Sequence, residues 1–158
     1  MKYLMAIIAF VFPLVIGTAC DNEGPLPATN AQDIVDENDD HMKDTITIHV
    51  GDKVFSATLL DNAAATALKA MLPFTINMTE LNGNEKFFRL PGNLPTSASN
   101  PTTINSGDLM LWGSNTLVLF YETFSTSYSY TKLGRIDSPT GLAAALGTGN
   151  VTVTIDFQ

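Results

Sequence analysis

Few side chains in this 158-residue sequence are suited to making or breaking bonds, and their spacing argues against most reactions. Histidine occurs only at His41 and His49. A serine triad needs a histidine beside a serine and a carboxylate, and His49 lies on the polar side of an alternating Thr-Ile-Thr-Ile-His-Val stretch, so that chemistry is not expected. One cysteine, Cys20, permits neither an internal disulfide nor a thiolate zinc cluster, and two histidines make no histidine-rich metal site. The segment from Gly141 to Gly149 lacks the lysine of a phosphate loop. Glu80, Glu85 and Glu122 have the type for acid–base work, but nothing in their spacing places two of them together. The acidic run Asp36-Glu37-Asn38-Asp39-Asp40-His41 matches no calcium loop and reads as a solvated charge run. No metal and no cofactor are expected.

A different chemistry is suggested by six aromatic residues between positions 112 and 130: Trp112, Phe120, Tyr121, Phe124, Tyr128 and Tyr130. Phe120 and Leu119 must face opposite sides of their strand, so part of this set is ordinary core. Phe124, Tyr128 and Tyr130 lie in a serine- and threonine-rich segment, where they could wall an apolar groove with hydroxyl handles, suited to a peptide or small ligand. The same residues also read as core plus surface tyrosines.

Mostly strands must position these groups. Ile46, Ile48 and Val50 alternate with polar residues, Gly51-Asp52 turns the chain, and Lys53 to Leu59 returns it. Asp61 offers a helix N-cap, and Ala64, Ala65, Leu68, Met71 and Leu72 share one helical face before Pro73. Strands are then expected at 74–80, 87–90, 108–112, 116–122, 133–136 and 151–157, with a long loop over 91–107. Ser138 and Pro139 open a second short helix ending at Gly147. The expected class is mainly β, with about eight mostly antiparallel strands closing into a barrel or sandwich, which hides their edges.

The amino terminus reads as an address. Met1-Lys2-Tyr3 precedes an apolar run from Leu4 to Ile16, too short for the ~20 residues of a membrane-spanning helix and suited to a signal peptide over residues 1–19. Gly17-Thr18-Ala19-Cys20 resembles the lipobox of bacterial lipoproteins, which implies cleavage before Cys20 and its lipidation, and places the protein in the cell envelope with lipid as its contact to the membrane. Ordinary secretory cleavage near Ala19 is the rival, since Gly17 stands where a large apolar residue is usual. Between Asp21 and Asp44 there are eight acids and one lysine, a composition expected to form a disordered tether over residues 20–44. Asp44-Thr45-Ile46 is similar to a short glycosylation motif of some bacterial secreted proteins. The whole chain carries −8; residues 45–158 carry eight acids and six bases, or −2. A near-neutral domain without a basic face is not a nucleic-acid binder. The oligomeric state is open.

Asp108-Leu109-Met110-Leu111-Trp112-Gly113, Leu117-Val118-Leu119-Phe120-Tyr121 and Leu133-Gly134-Arg135-Ile136, together with the turn Leu81-Asn82-Gly83-Asn84-Glu85-Lys86 and the following Leu94-Pro95, resemble the cyclophilin-like domain family of bacteria over residues 45–157. The resemblance implies a closed barrel of about eight strands, the architecture of peptidyl-prolyl isomerases. Those enzymes use an arginine beside a phenylalanine–methionine–x–glutamine stretch. Here glutamine occurs only at Gln32 and Gln158, so that stretch is absent, and Arg89, next to Phe87 and Phe88, is the stand-in for the arginine by type and rough placement. The expected function is therefore a non-catalytic binding module for a peptide or small ligand. Phe87, Arg89, Trp112, Phe120, Phe124, Tyr128 and Tyr130 are the candidate site residues. Weak prolyl isomerisation through Arg89, or a structural role in an envelope assembly, are the alternatives.

Overall fold

Alternation in the first strand has the consequence expected of it: Ile46, Ile48 and Val50 are buried while Thr45, Thr47 and His49 are half-exposed. The computed structural model describes residues 44–158. The signal peptide, Cys20 and the tether up to Lys43 lie outside the described residues. In chain order the elements are β1 (Thr45–Val50), β2 (Lys53–Leu59), α1 (Ala63–Lys69), β3 (Phe74–Leu81), β4 (Glu85–Arg89), β5 (Thr103–Ile104), β6 (Asp108–Trp112), β7 (Thr116–Phe120), β8 (Phe124–Ser125), β9 (Thr131–Ile136), α2 (Leu142–Leu146) and β10 (Val151–Phe157).

Eight of these strands form a closed barrel in the order β1-β10-β3-β4-β7-β6-β9-β2, with β2 returning to β1 and every pair antiparallel. Closure leaves no free edge. The interior is filled by the inward residues of the strands, and Leu68 of α1 with Leu142 and Leu146 of α2 join the same core. Closeness of packing is sharpest where β2 meets β9. A Cβ added at Gly134 would run into the backbone of Thr58 and lie 2.9 Å from Leu59 Cα, so only glycine fits this pairing.

Strands β6 and β7 are buried on both faces, unlike β1. Leu109, Leu111, Leu117 and Leu119 face the barrel interior, while Met110, Val118 and Phe120 face outward into a second, smaller cluster with Ile104 and Tyr130. That cluster exists because residues outside the barrel fold back over it. The segment 91–107 is not the continuous loop expected from its composition: Thr103 and Ile104 pair with Ser125 and Phe124 as β5–β8, and Ser99 bridges Tyr130. Two-residue strands are too short to leave a period in the sequence.

The helices start later than expected. Asn62, not Asp61, caps α1, its Oδ1 accepting the Ala65 N–H at 2.9 Å. The helix ends at Lys69, several residues short of Pro73, because the residue before proline is pushed out of helical geometry and the chain tightens first. Ser138 does not cap α2. Gly141 precedes that helix with φ +82°, a left-handed turn that separates Ser138-Pro139 from it.

Candidate functional site

Register on the outside of the barrel decides which side chains meet. Phe87 pairs with Val118 and Arg89 with Thr116 across β4 and β7, and Val118 and Thr116 pair with Met110 and Trp112 across β7 and β6. Because side chains alternate, Glu85, Phe87 and Arg89 share the outer face of β4. Over this face passes the segment from Phe124 to Tyr130, held by the β5–β8 pair and by two backbone hydrogen bonds between Ser99 and Tyr130, each 3.0 Å.

Between sheet and segment lies a cleft of about 490 Å³, of the size that holds a small ligand or a few residues of a peptide. It brings together Phe87, Arg89, Trp112, Phe124, Tyr128 and Tyr130. Trp112 and Tyr128 stand at its rim, 50% and 66% exposed. Phe120 is placed differently: it is fully buried beneath the cleft, its ring 5.8 Å from that of Phe124 and edge-on to Tyr130 at 5.5 Å. Phe120 supports the wall and offers no surface to a ligand. The odd–even alternation that sends Leu119 inward sends Phe120 outward, under the covering segment.

Two polar groups close one end of the cleft. Glu85 is only 9% exposed, lines the cleft, and its carboxyl receives no hydrogen bond from the described residues. Burial, followed by the charge of Glu80, pushes its carboxyl above the usual value. Beside it, Asn84 has its Oδ1 buried with no donor. Burial and then the Glu85 charge raise the Tyr130 hydroxyl in turn. At the other end Arg89 is exposed and has no ion-pair or hydrogen-bond partner among the described residues.

The opposite face of β4 carries a polar cluster that does not belong to the cleft. Lys86 is fully buried, and its ammonium donates to the Glu80 carboxylate and to the carbonyls of Gly147, at 2.8 Å, and Gly149, at 2.6 Å. Three donors thus meet three acceptors, and the ring of Tyr121 lies 5.3 Å from the nitrogen. Glu80 also accepts the Tyr121 hydroxyl, 2.9 Å from each oxygen, and the Gly83 N–H at 2.8 Å. Burial alone pushes Glu80 up; the hydrogen bonds from Lys86, Tyr121 and Gly83 outweigh it and hold the carboxyl below its usual value. Burial and then the hydrogen bond to Glu80 push the Tyr121 hydroxyl up to about 12. Glu80 and Glu85 are near enough to feel each other's charge, but Glu80 is held by Lys86, Tyr121 and Gly83 while Glu85 faces the cleft, and no hydrogen bond joins them.

Sequence reasoning missed Glu85 and Asn84 as cleft residues. The spacing Glu85, Phe87, Arg89 was the available signal, since positions i, i+2 and i+4 of a strand share a face. Nothing local announced the buried Lys86.

The cyclophilin-like family matches residues 48–156 of the chain. A solved structure, the solution structure of the hypothetical protein AF2241 from Archaeoglobus fulgidus, is similar with a TM-score of 0.54 and 13% identity, covering 72% of this chain and 94% of that one. At that identity the likeness concerns the fold alone. No curated protein matches the sequence.

Proposed function

Because the chain belongs to the cyclophilin-like family, we propose that it works as a binding module, holding a peptide or small ligand in the cleft between β4, β7, β6 and the segment 124–130, without catalysis. The observation that carries this reading is the cleft itself. Aromatic and apolar side chains interspersed with hydroxyl, amide and charged groups are the features of ligand sites, and the isomerase stretch of phenylalanine, methionine and glutamine is missing. Of the chain's two glutamines, Gln32 lies outside the described residues and Gln158 lies away from the cleft. The test is a thermal-shift screen of peptides and small molecules against the protein and its Tyr128→Ala variant. Hits should lose most of their shift in the variant; shifts that are all unchanged would place binding elsewhere.

Prolyl isomerisation is the second reading, favoured by Arg89 standing unpartnered in the cleft near Phe87. At about 10 °C uncatalysed exchange takes minutes, so weak catalysis is visible. Acceleration abolished by Arg89→Ala would establish it. On either reading the domain is carried by a lipid anchor at Cys20, for which the apolar run before Gly17-Thr18-Ala19-Cys20 is the support. Intact mass of membrane-extracted protein should exceed the cleaved polypeptide by the mass of the acyl groups; an unmodified Cys20 would remove the anchor from the proposal.

A further inference from the structure

Glu85 and Arg89 stand four residues apart on the strand face that floors the cleft, with Phe87 between them. At roughly 3.3 Å per residue their Cα atoms are separated by about 13 Å. They are too far apart to neutralise each other, and neither is neutralised by another side chain among the described residues. The two ends are not equivalent. Arg89 is exposed and hydrated, whereas Glu85 is nine-tenths buried and its carboxyl oxygens, which meet no donor of the described residues, open onto the cleft. A carboxylate held among largely buried surroundings, open to a cleft and met by no donor of the fold, marks where a ligand's donor can replace water. The neighbouring Asn84 Oδ1 lacks a donor as well, which leaves this end of the cleft rich in acceptors.

We infer that the cleft selects ligands carrying a protonated nitrogen, an ammonium or guanidinium group, which seats on the Glu85 carboxylate while an adjoining apolar group lies along Phe87 and Val118 towards Trp112. For a peptide, this means a lysine or arginine beside an apolar residue. The inference rests on reading the cleft as a binding site and adds what that site chooses. A cationic donor gives Glu85 the charge-assisted hydrogen bonds it lacks, and the aromatic walls tolerate a cation over their faces. An anionic group in the same place would meet Glu85 directly, with the charge of Glu80 behind it, so the site rejects by sign as well as attracting.

Trp112 is the chain's sole tryptophan and sits on the cleft, so its fluorescence reports occupancy there. The full-length chain in non-ionic detergent is titrated with three blocked tripeptides: acetyl-Phe-Lys-Phe-amide, the same peptide with norleucine for lysine, and the same with glutamate. The lysine peptide should bind at least about tenfold more tightly than the norleucine peptide, with the glutamate peptide weakest. Glu85→Gln, which keeps the shape and removes the charge, should abolish the lysine preference and leave norleucine binding within about twofold. Equal affinity for all three, or a lysine preference that survives Glu85→Gln, would overturn the inference while leaving the cleft a binding site. If no peptide changes Trp112 emission, the inference falls, while the reading of the cleft is decided separately by the thermal-shift screen with Tyr128→Ala.

Discussion

Lys86 turns into the barrel and finds an acceptor for each of its three protons, whereas Glu85, the residue before it on the same strand, turns outward into the cleft, where no donor of the described residues meets its carboxylate. Both are charged and both are buried, so burial does not separate them. Partnership does. A buried charge whose hydrogen bonds are complete ties pieces of the fold together: Lys86 joins β4 to β3 through Glu80 and to the loop between α2 and β10 through Gly147 and Gly149. One whose hydrogen bonds are missing contributes nothing to the fold and is available to something else. The two carboxylates of this region show the same contrast, Glu80 held below the usual value by its donors and Glu85 pushed above it by burial and by Glu80.

The contrast is broken or sharpened by substitution, with the largest effect at Lys86. Lys86→Met keeps most of the side chain's length but strips Glu80 of its cation and takes the donor from the carbonyls of Gly147 and Gly149. It should cost about 3–5 kcal/mol and lower the melting temperature by roughly 10 °C or more in calorimetry. A drop of under about 2 °C would mean that the cluster is not structural. Tyr121→Phe removes the hydroxyl donated to Glu80 and should cost about 1–2 kcal/mol.

The pH dependence follows from the directions of the two carboxyls. Glu80, depressed in the fold, contributes stability that is present above the unfolded carboxyl value and lost as pH falls through the folded one, so Glu80→Gln should flatten the acid limb of the stability profile. Glu85, raised in the fold, has the opposite sign. It weakens the protein as pH rises from the unfolded value through the folded one. Glu85→Gln should therefore leave stability unchanged in acid and increase it by up to about 1 kcal/mol at neutral pH, measured by urea unfolding at both. Should Glu85→Gln instead destabilise as Lys86→Met does, the distinction between the two residues collapses. The smallest effect is expected at the exposed rim, where Tyr128→Ala should change stability by less than about 0.5 kcal/mol while still weakening ligand binding.

How much of this was legible beforehand differs between the fold and the cleft. All eight barrel strands lie within a few residues of where the sequence puts them: alternation marks strands with one exposed face, as in Ile46–Val50 and Val151–Phe157, because such a strand writes its two faces with period two, while β6 and β7, buried on both faces, read as short apolar runs. Helix starts were displaced, since Asp61 and Asn62, or Ser138 and Gly141, compete for the same role and the choice is made by how the preceding turn enters. The aromatic set from Trp112 to Tyr130 was visible as a cluster, but its division was not. Phe120 went beneath the wall, and Tyr121 went to the other side, onto Glu80.

Sequence alone therefore determined the class of fold, the order of the barrel strands along the chain and the alternation of their faces, because these depend on residues near one another in the chain. The tertiary structure decided which face of β4 became a cleft, since that required residues 99–104 and 124–130 to pair with each other and cover β7. It also decided that Glu85 would be buried without a donor and Lys86 buried with three acceptors. Solvation and hydrogen bonding of a charge are set by what arrives from distant parts of the chain, 61 and 63 residues away for Gly147 and Gly149, and no local pattern encodes that arrival.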